Sequence, residues 1–284
     1  MSDVHAGYIR YPTGRARAGT SEARRRDEAD TTAFARLMRC NPGVALVVGL
    51  VACASLGPAC AAESVRCGPF AHEQLPTPMP SPYSSALERA KWISEAVKSS
   101  PYSILFFGDS LTEGWDAAVW EKSLASRGAL NAGVSGDRTD NLLWRLQNGN
   151  LAGPPPQAVV LLIGTNDLAY GRSPALTADG IRANLDELQQ HFPDTRMLLL
   201  GLLPREASPT ARLRVETTKV NRLIRDCADG QHVFFADIGD VLLDGNGQLT
   251  VAISPDGLHF TARGYWLLAS RLDPELDRLL RPAR

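Results

Sequence analysis

From Ser84 onward, short apolar runs alternate with stretches of helical spacing. Ser84 to Lys98 predicts an amphipathic helix, and Ser103-Ile104-Leu105-Phe106-Phe107 predicts a short strand that ends in glycine. A helix-compatible stretch follows at Ala117 to Ala125, then a second short strand at Ala129 to Ala132. Ala158 to Ile163 is a nearly unbroken aliphatic run, Leu176 to His191 carries Ile181, Leu185 and Leu188 at helical spacing, and Arg196 to Leu203 predicts another buried strand. Leu213 to Cys227 predicts a helix, Val233 to Ile238 a strand, and Ala262 to Leu280 a closing helix. Strands that are apolar on both faces and alternate with helices belong to parallel sheets covered on two sides. The expected fold is therefore α/β, a three-layer α/β/α sandwich, with functional groups gathered where loops leave the carboxyl ends of the strands.

The chain ahead of this domain has another character. Residues 1–37 hold Arg15, Arg17, Arg24, Arg25 and Arg26 among small and polar residues without apolar periodicity, which predicts no core. They read as disordered, or as an upstream misreading of the frame with Met38 as the true start. Residues 38–61 begin with Arg39, continue through an apolar run from Val44 to Leu56 and end in Ala59-Cys60-Ala61, the pattern of a secretory signal peptide. The run is short for a membrane span. Two other readings stay open: Leu50-Val51-Ala52-Cys53 fits a lipobox, which would acylate Cys53 and tether the protein to the outer membrane, and the run could be a buried apolar helix. The expected location is periplasmic or secreted, with a membrane involved only if Cys53 is lipidated. Residues 62–83 carry Pro69, Pro76, Pro78, Pro80 and Pro82, the composition of an extended linker or surface strap. The domain itself spans residues 84–284.

Composition narrows the function by exclusion. With 30 basic and 31 acidic side chains, the chain lacks the electrostatic footprint that a nucleic acid selects. At 44% hydrophobic residues it can bury one sizeable core. Of five cysteines, Cys40, Cys53 and Cys60 fall within the leader, which leaves Cys67 and Cys227 to pair or not in an oxidising compartment. The five histidines are scattered without metal-ligand spacing, so neither a metal nor another cofactor is expected. His72, His191 and His232 read as surface or packing residues. Trp144 and Arg145 read either as supports of the loop before them or as a core tryptophan beside a solvated arginine.

Four segments carry candidate chemistry. Gly108-Asp109-Ser110-Leu111 places Ser110 at a strand-to-helix turn, a position for a nucleophile, although Asp and Ser also serve there as ordinary helix caps. Ser254-Pro255-Asp256-Gly257-Leu258-His259 lies just before the last helix. A hydroxyl needs a base to take its proton, imidazole titrates near neutrality, and a carboxylate three residues away can hold its tautomer. Acyl transfer also needs donors where negative charge develops. Asn131-Ala132-Gly133-Val134-Ser135-Gly136-Asp137 and Gly164-Thr165-Asn166-Asp167 supply candidates, and each is equally a common turn composition. Together the four segments offer a nucleophile, a base, an orienting acid and two donors.

Taken in chain order, Ser110, Gly136, Asn166 and His259, these segments resemble the four blocks of the GDSL or SGNH hydrolase family, over Ile104 to Tyr265. The resemblance implies a flavodoxin-like parallel sheet and a serine esterase acting on a small ester substrate. It implies Ser110 as nucleophile, His259 as base and Asp256 as its orienting acid, with Ser110, Gly136 and Asn166 forming the oxyanion hole. Leu143-Trp144-Arg145-Leu146-Gln147-Asn148-Gly149, Leu200-Gly201-Leu202-Leu203-Pro204-Arg205, Lys219-Val220-Asn221 and Asp256-Gly257-Leu258-His259-Phe260-Thr261 are most similar to the catalytic subunits of platelet-activating factor acetylhydrolase. That likeness implies short acyl groups, acetyl above all, and leaves a homodimer open. The chain departs from those subunits in its leader and in Thr112-Glu113-Gly114-Trp115, which is common in bacterial family members, so polysaccharide acetyl groups and lysophospholipid-like lipids stand as alternative substrates.

Overall fold

The computed structural model describes residues 77–281. Thirteen regular elements follow one another: α1 (Ser84–Ser99), β1 (Ile104–Gly108), α2 (Ser110–Glu113), α3 (Ala117–Ser123), β2 (Ala129–Gly133), α4 (Thr139–Arg145), β3 (Ala158–Leu162), α5 (Thr165–Ala169), α6 (Pro174–His191), β4 (Arg196–Leu200), α7 (Arg212–Arg225), β5 (Val233–Ala236) and α8 (Ala262–Leu280). The strands form one sheet in the order β2-β1-β3-β4-β5, and every neighbouring pair is parallel. Right-handed crossovers then put α3 and α8 on one face and α4, α6 and α7 on the other. The packing agrees, with α3 against α8, α4 against α6 and α6 against α7. This is the α/β/α sandwich with the flavodoxin-like strand order.

Burial explains the pattern of each strand. β1 and β3 lie inside the sheet and are buried at every residue, which is why Ile104 to Gly108 and Ala158 to Leu162 show no alternation. β5 is an edge strand. Its Phe234 and Phe235 are half-buried under the Arg278 and Arg225 guanidinium groups, 5.4 and 5.6 Å from the ring centroids. Each fully buried Leu, Ile or Phe of this core contributes about 1.5–3 kcal/mol relative to exposure.

Several expected boundaries shift. β4 stops at Leu200 rather than Leu203, because the Asn221 side chain takes over the Leu202 backbone, accepting from its N–H at 2.7 Å and donating to its carbonyl at 3.0 Å. β5 ends at Ala236, and the third helix stops at Ser123 before a single 3-10 turn over Ala125–Arg127. α4, the π turn over Leu146–Asn150 that follows it, and α5 carry no helical apolar stripe. Thr139, Asp140, Asn141 and Arg145 of α4 are all buried polar residues. The described end of the proline-rich segment lies on α4, with Met79 N–H donating to Asp140 O at 3.3 Å and Asn141 Nδ2 donating to Met79 O at 3.1 Å. The expectations for residues 1–37 and 38–61, including Cys53, and for Cys67 and His72 lie outside the described residues. Cys227 is buried and disulfide-bonded.

The sheet closely approaches a helix backbone at Gly133, where a Cβ would sit 2.3 Å from Glu113 N. Gly133→Ala should therefore destabilise the fold by about 1–3 kcal/mol, the usual cost of overpacking. Urea unfolding checks this: the midpoint should fall with an unchanged slope, and an unchanged midpoint would contradict the close approach.

Candidate active site

Three neighbouring strands deliver the candidate residues to one edge of the sheet. Because β1 lies between β2 and β3 and all three are parallel, with Gly108 in register with both Gly133 and Leu162, the loops carrying Ser110, Gly136 and Asn166 leave side by side. Asp109 makes the turn after β1 abrupt, accepting from Leu111 N–H at 2.9 Å and so capping α2, whose first residue is Ser110. Ser110 Oγ lies 3.0 Å from His259 Nε2. The other ring nitrogen, His259 Nδ1, lies 2.7 Å from Asp256 Oδ2. A carboxylate at Nδ1 favours the tautomer with its proton there, leaving the Nε2 lone pair toward the serine.

The Asp256 loop is held from within and from outside. Asp256 Oδ1 accepts from the amides of Leu258 and His259 at 2.9 and 2.8 Å. Partial burial works to raise its pKa, but the hydrogen bond from His259 and those two amides outweigh it and hold the carboxyl at about 2. It is therefore ionised throughout the neutral range. Gly257 takes a left-handed conformation, φ +72°, and its carbonyl accepts at 2.6 Å from Glu206 N–H, itself at φ +60°. Glu206 is the one non-glycine residue with positive φ among the described residues, and it sits against the loop that orients the histidine.

The donor side is built from β2 and β3. Gly136 has φ +83° and is bracketed by anchored neighbours. On one side, Ser135 donates from N and Oγ to Glu113 Oε2 at 2.6 and 2.7 Å. On the other, Asp137 O accepts from Asn166 Nδ2 at 2.9 Å, which leaves the second Asn166 amide hydrogen uncommitted. Ser110 N–H opens a helix and has no intrahelical acceptor, and Gly136 N–H meets no acceptor among the described residues. Three donors thus have no acceptor among the described residues, on the segments that the sequence singled out.

Below them lies a buried ionic network that the sequence did not reveal. Arg145, 2% exposed, donates to Asp137 Oδ2 at 2.6 Å, to Asn150 Oδ1 at 2.8 Å and to Gly108 O at 3.1 Å, joining the end of β1 to the Gly136 loop. Arg145 is thus no solvated residue, and Trp144 beside it is only half-buried. Asp167 accepts from Thr139 N and Oγ1 at 2.9 and 2.7 Å and from Arg172 at 2.6 Å. Arg205 donates to Thr165 O and Oγ1 at 2.8 and 3.0 Å and steadies the start of α5. Asp109 has its second oxygen, Oδ2, without a hydrogen-bond partner among the described residues. Burial raises its pKa, the Leu111 amide opposes this, and Asp137 and Asp167 add to the rise, so the carboxyl is pushed up to about 7. His191 bonds Leu151 O at 2.9 Å and His232 lies exposed near Asp229, both away from this site.

Comparison with known proteins places this geometry among relatives. The GDSL-like Lipase/Acylhydrolase family matches residues 106–267. Platelet-activating factor acetylhydrolase IB subunit alpha1 of Homo sapiens is 32% identical over 218 residues, covering 73% of this chain and 92% of that protein. The corresponding alpha2 subunit of Rattus norvegicus is 31% identical over 185 residues, covering 64% of this chain and 80% of that protein. The crystal structure of a GDSL-like lipase from Bacteroides thetaiotaomicron superposes with a TM-score of 0.56 at 21% identity, covering 68% of this chain and 98% of that one, a likeness of fold.

Asp109 gives the site a stability signature. Its carboxyl keeps its proton to higher pH in the folded chain than the usual 3.8, so the native state binds more protons than the unfolded one between those limits. The contribution of Asp109 to stability must fall as pH rises from there to about 7 and then level off. Asp109→Asn removes this titration, and its melting temperature relative to the parent should rise by on the order of 5 °C between pH 5 and pH 8. Thermal melts at the two pH values measure the difference, and a constant difference would show that Asp109 does not titrate in this window.

Proposed function

The chain belongs to the GDSL-like lipase/acylhydrolase family and is an ester hydrolase, and from that premise we propose that it removes short acyl groups, acetyl above all, through an acyl-enzyme on Ser110. The observation that carries this reading is the relay from Ser110 Oγ to His259 Nε2 at 3.0 Å and from His259 Nδ1 to Asp256 at 2.7 Å. His259 takes the Ser110 proton as Oγ bonds to the ester carbonyl carbon. The resulting oxyanion is held by Ser110 N–H, Gly136 N–H and the Asn166 side-chain amide. As the tetrahedral centre collapses, its bond to the alcohol oxygen breaks and His259 hands the proton to the departing alcohol. Water then attacks the acyl-enzyme, His259 takes its proton and returns it to Ser110 Oγ, and the acid leaves. Asp256 stays ionised throughout.

Exposure around the relay supports a small acyl group carried by a larger alcohol. The side chains of Asp256 and His259 are 54% and 49% exposed. Tyr83 and Tyr170 stand exposed at the rim with hydroxyls 3.1 Å apart, and the Tyr83 ring lies 3.7 Å from where a Cβ of Gly136 would be. The curated relatives are named acetylhydrolases, in keeping with an acetyl preference. The same open, hydroxyl-bearing rim favours a second reading, removal of acetyl groups from polysaccharide, since a sugar alcohol can remain in solvent while its ester reaches Ser110.

A fluorophosphonate should label the protein and Ser110→Ala should abolish both labelling and turnover; labelling that persists in the variant would remove Ser110 from its role. In a series of aryl esters, kcat/KM should be greatest at two to four acyl carbons, on the order of tenfold above an eight-carbon ester if each added methylene forfeits even part of its usual transfer energy to poor fit. A maximum at long chains would overturn the acyl preference. Acetylated xylan assayed beside them separates the two readings.

We also propose export through residues 38–61. Protein recovered from outside the cytoplasm should begin after Ala61, as N-terminal sequencing would show, whereas incorporation of labelled fatty acid at Cys53 would replace the free form by the anchored one.

A further inference from the structure

Two of the donors assigned to the oxyanion hole, the amides of Ser110 and Gly136, sit on different strands' loops, and the backbone joins these only as far as the Val134 N–H to Gly108 O bond at 3.0 Å, two residues before each donor. Glu113 bridges the two. It is the last residue of α2, the single turn that begins at Ser110 and closes through Gly114 N–H to Ser110 O at 2.8 Å. One oxygen of its carboxylate accepts both Ser135 N–H, at 2.6 Å, and Ser135 Oγ–H, at 2.7 Å. Ser135 is the residue before Gly136. The other oxygen faces Arg89 Nε at 3.7 Å, and Arg89 also donates to Asn131 O at 2.8 Å and Gly133 O at 3.2 Å on β2. Asn131 closes the bracket by donating its side-chain amide to Thr112 O at 2.7 Å.

From this geometry, and resting on the acyl-transfer reading above, we infer that Glu113 is a positioning residue that sets the separation of the Ser110 and Gly136 amides. The carboxylate lies three residues after the nucleophile and one hydrogen bond from the donor loop, so it couples the two across the gap between β1 and β2. An oxyanion donor acts only where charge develops, and a shift of a fraction of an ångström weakens it in the transition state more than in the bound substrate. The Glu113 side chain is about a quarter exposed, so its role is not that of a core residue. Glutamine in its place can still accept both Ser135 bonds through its carbonyl oxygen, whereas aspartate is one methylene short of reaching them.

The test compares the parent with Glu113→Ala, Glu113→Asp and Glu113→Gln on a short aryl ester. Melting temperature, kcat and KM are measured for each. In Ala and Asp, kcat should fall about 10- to 100-fold with KM within about twofold, and Gln should stay within about threefold of the parent. Fluorophosphonate labelling should slow in parallel with kcat. If Ala fails to fold, Asp keeps the test, because it retains the charge beside Arg89. Unchanged kcat in a folded Ala or Asp variant, a loss confined to KM, or a Gln variant as impaired as Ala would each overturn the inference. Absence of Ser110-dependent turnover in the parent would instead remove the esterase reading on which it rests.

Discussion

Parallel pairing of β1 between β2 and β3 is the constraint on which the site depends. Loops leaving three adjacent parallel strands in the same direction must emerge together, so Ser110 after β1, Gly136 after β2 and Asn166 after β3 are brought to one edge of the sheet. The loop before α8 arrives at the same edge, with Ser110 and His259 meeting across 149 residues of chain. The apolar strands beneath supply the rigidity, and the loops supply the chemistry.

Rigid strands alone do not fix loops that must hold free donors. Gly136 N–H and one Asn166 amide hydrogen have no acceptor among the described residues while their neighbours are tied down, Ser135 by Glu113 and Asp137 by Asn166 and Arg145. This anchoring places three carboxylates, Asp109, Asp137 and Asp167, in the interior, where a charge without compensation is costly. Arg145 and Arg172 pair with two of them directly. Asp109, with one oxygen unpartnered among the described residues, keeps its proton until about pH 7, and the capping of α2 that places Ser110 thus costs stability above that pH. Strain is stored in the same way at Glu206, whose left-handed backbone presents an amide to the Asp256 loop.

The relay and the donors differ in how solvent meets them. Asp256 and His259 are half exposed, while the Arg145–Asp137 pair beneath the Gly136 loop is almost fully buried. The buried ion pair thus lies under the Gly136 loop, while the Asp256 and His259 side chains face solvent. Tyr83 and Tyr170 mark where that open rim begins.

The sequence by itself determined what depends on local order. Aliphatic runs predicted β1 and β3 almost to the residue, helical spacing predicted α1, α6, α7 and α8, and Asp256 three residues before His259 foretold their contact, because one turn can bring that pair together. The motifs and their order pointed to Ser110, Gly136 and Asn166, and the structure brings all three to one edge. Tertiary structure decided everything that rests on partners far along the chain. α4 escaped detection because most of its buried side chains are polar: Thr139, Asp140, Asn141 and Arg145 are buried beside Leu142 and Leu143, with Asp167, Arg172 and the backbone of Met79 among their partners. Arg145 could be read as solvated or supporting, and only its bonds to Asp137, Asn150 and Gly108 settled it. Glu113 carried no signal, since a surface glutamate after a turn is commonplace until the fold sets Ser135 against it. Periodicity records which face of an element is buried, but a hydrogen bond between distant residues exists only once the sheet has aligned the loops that carry them.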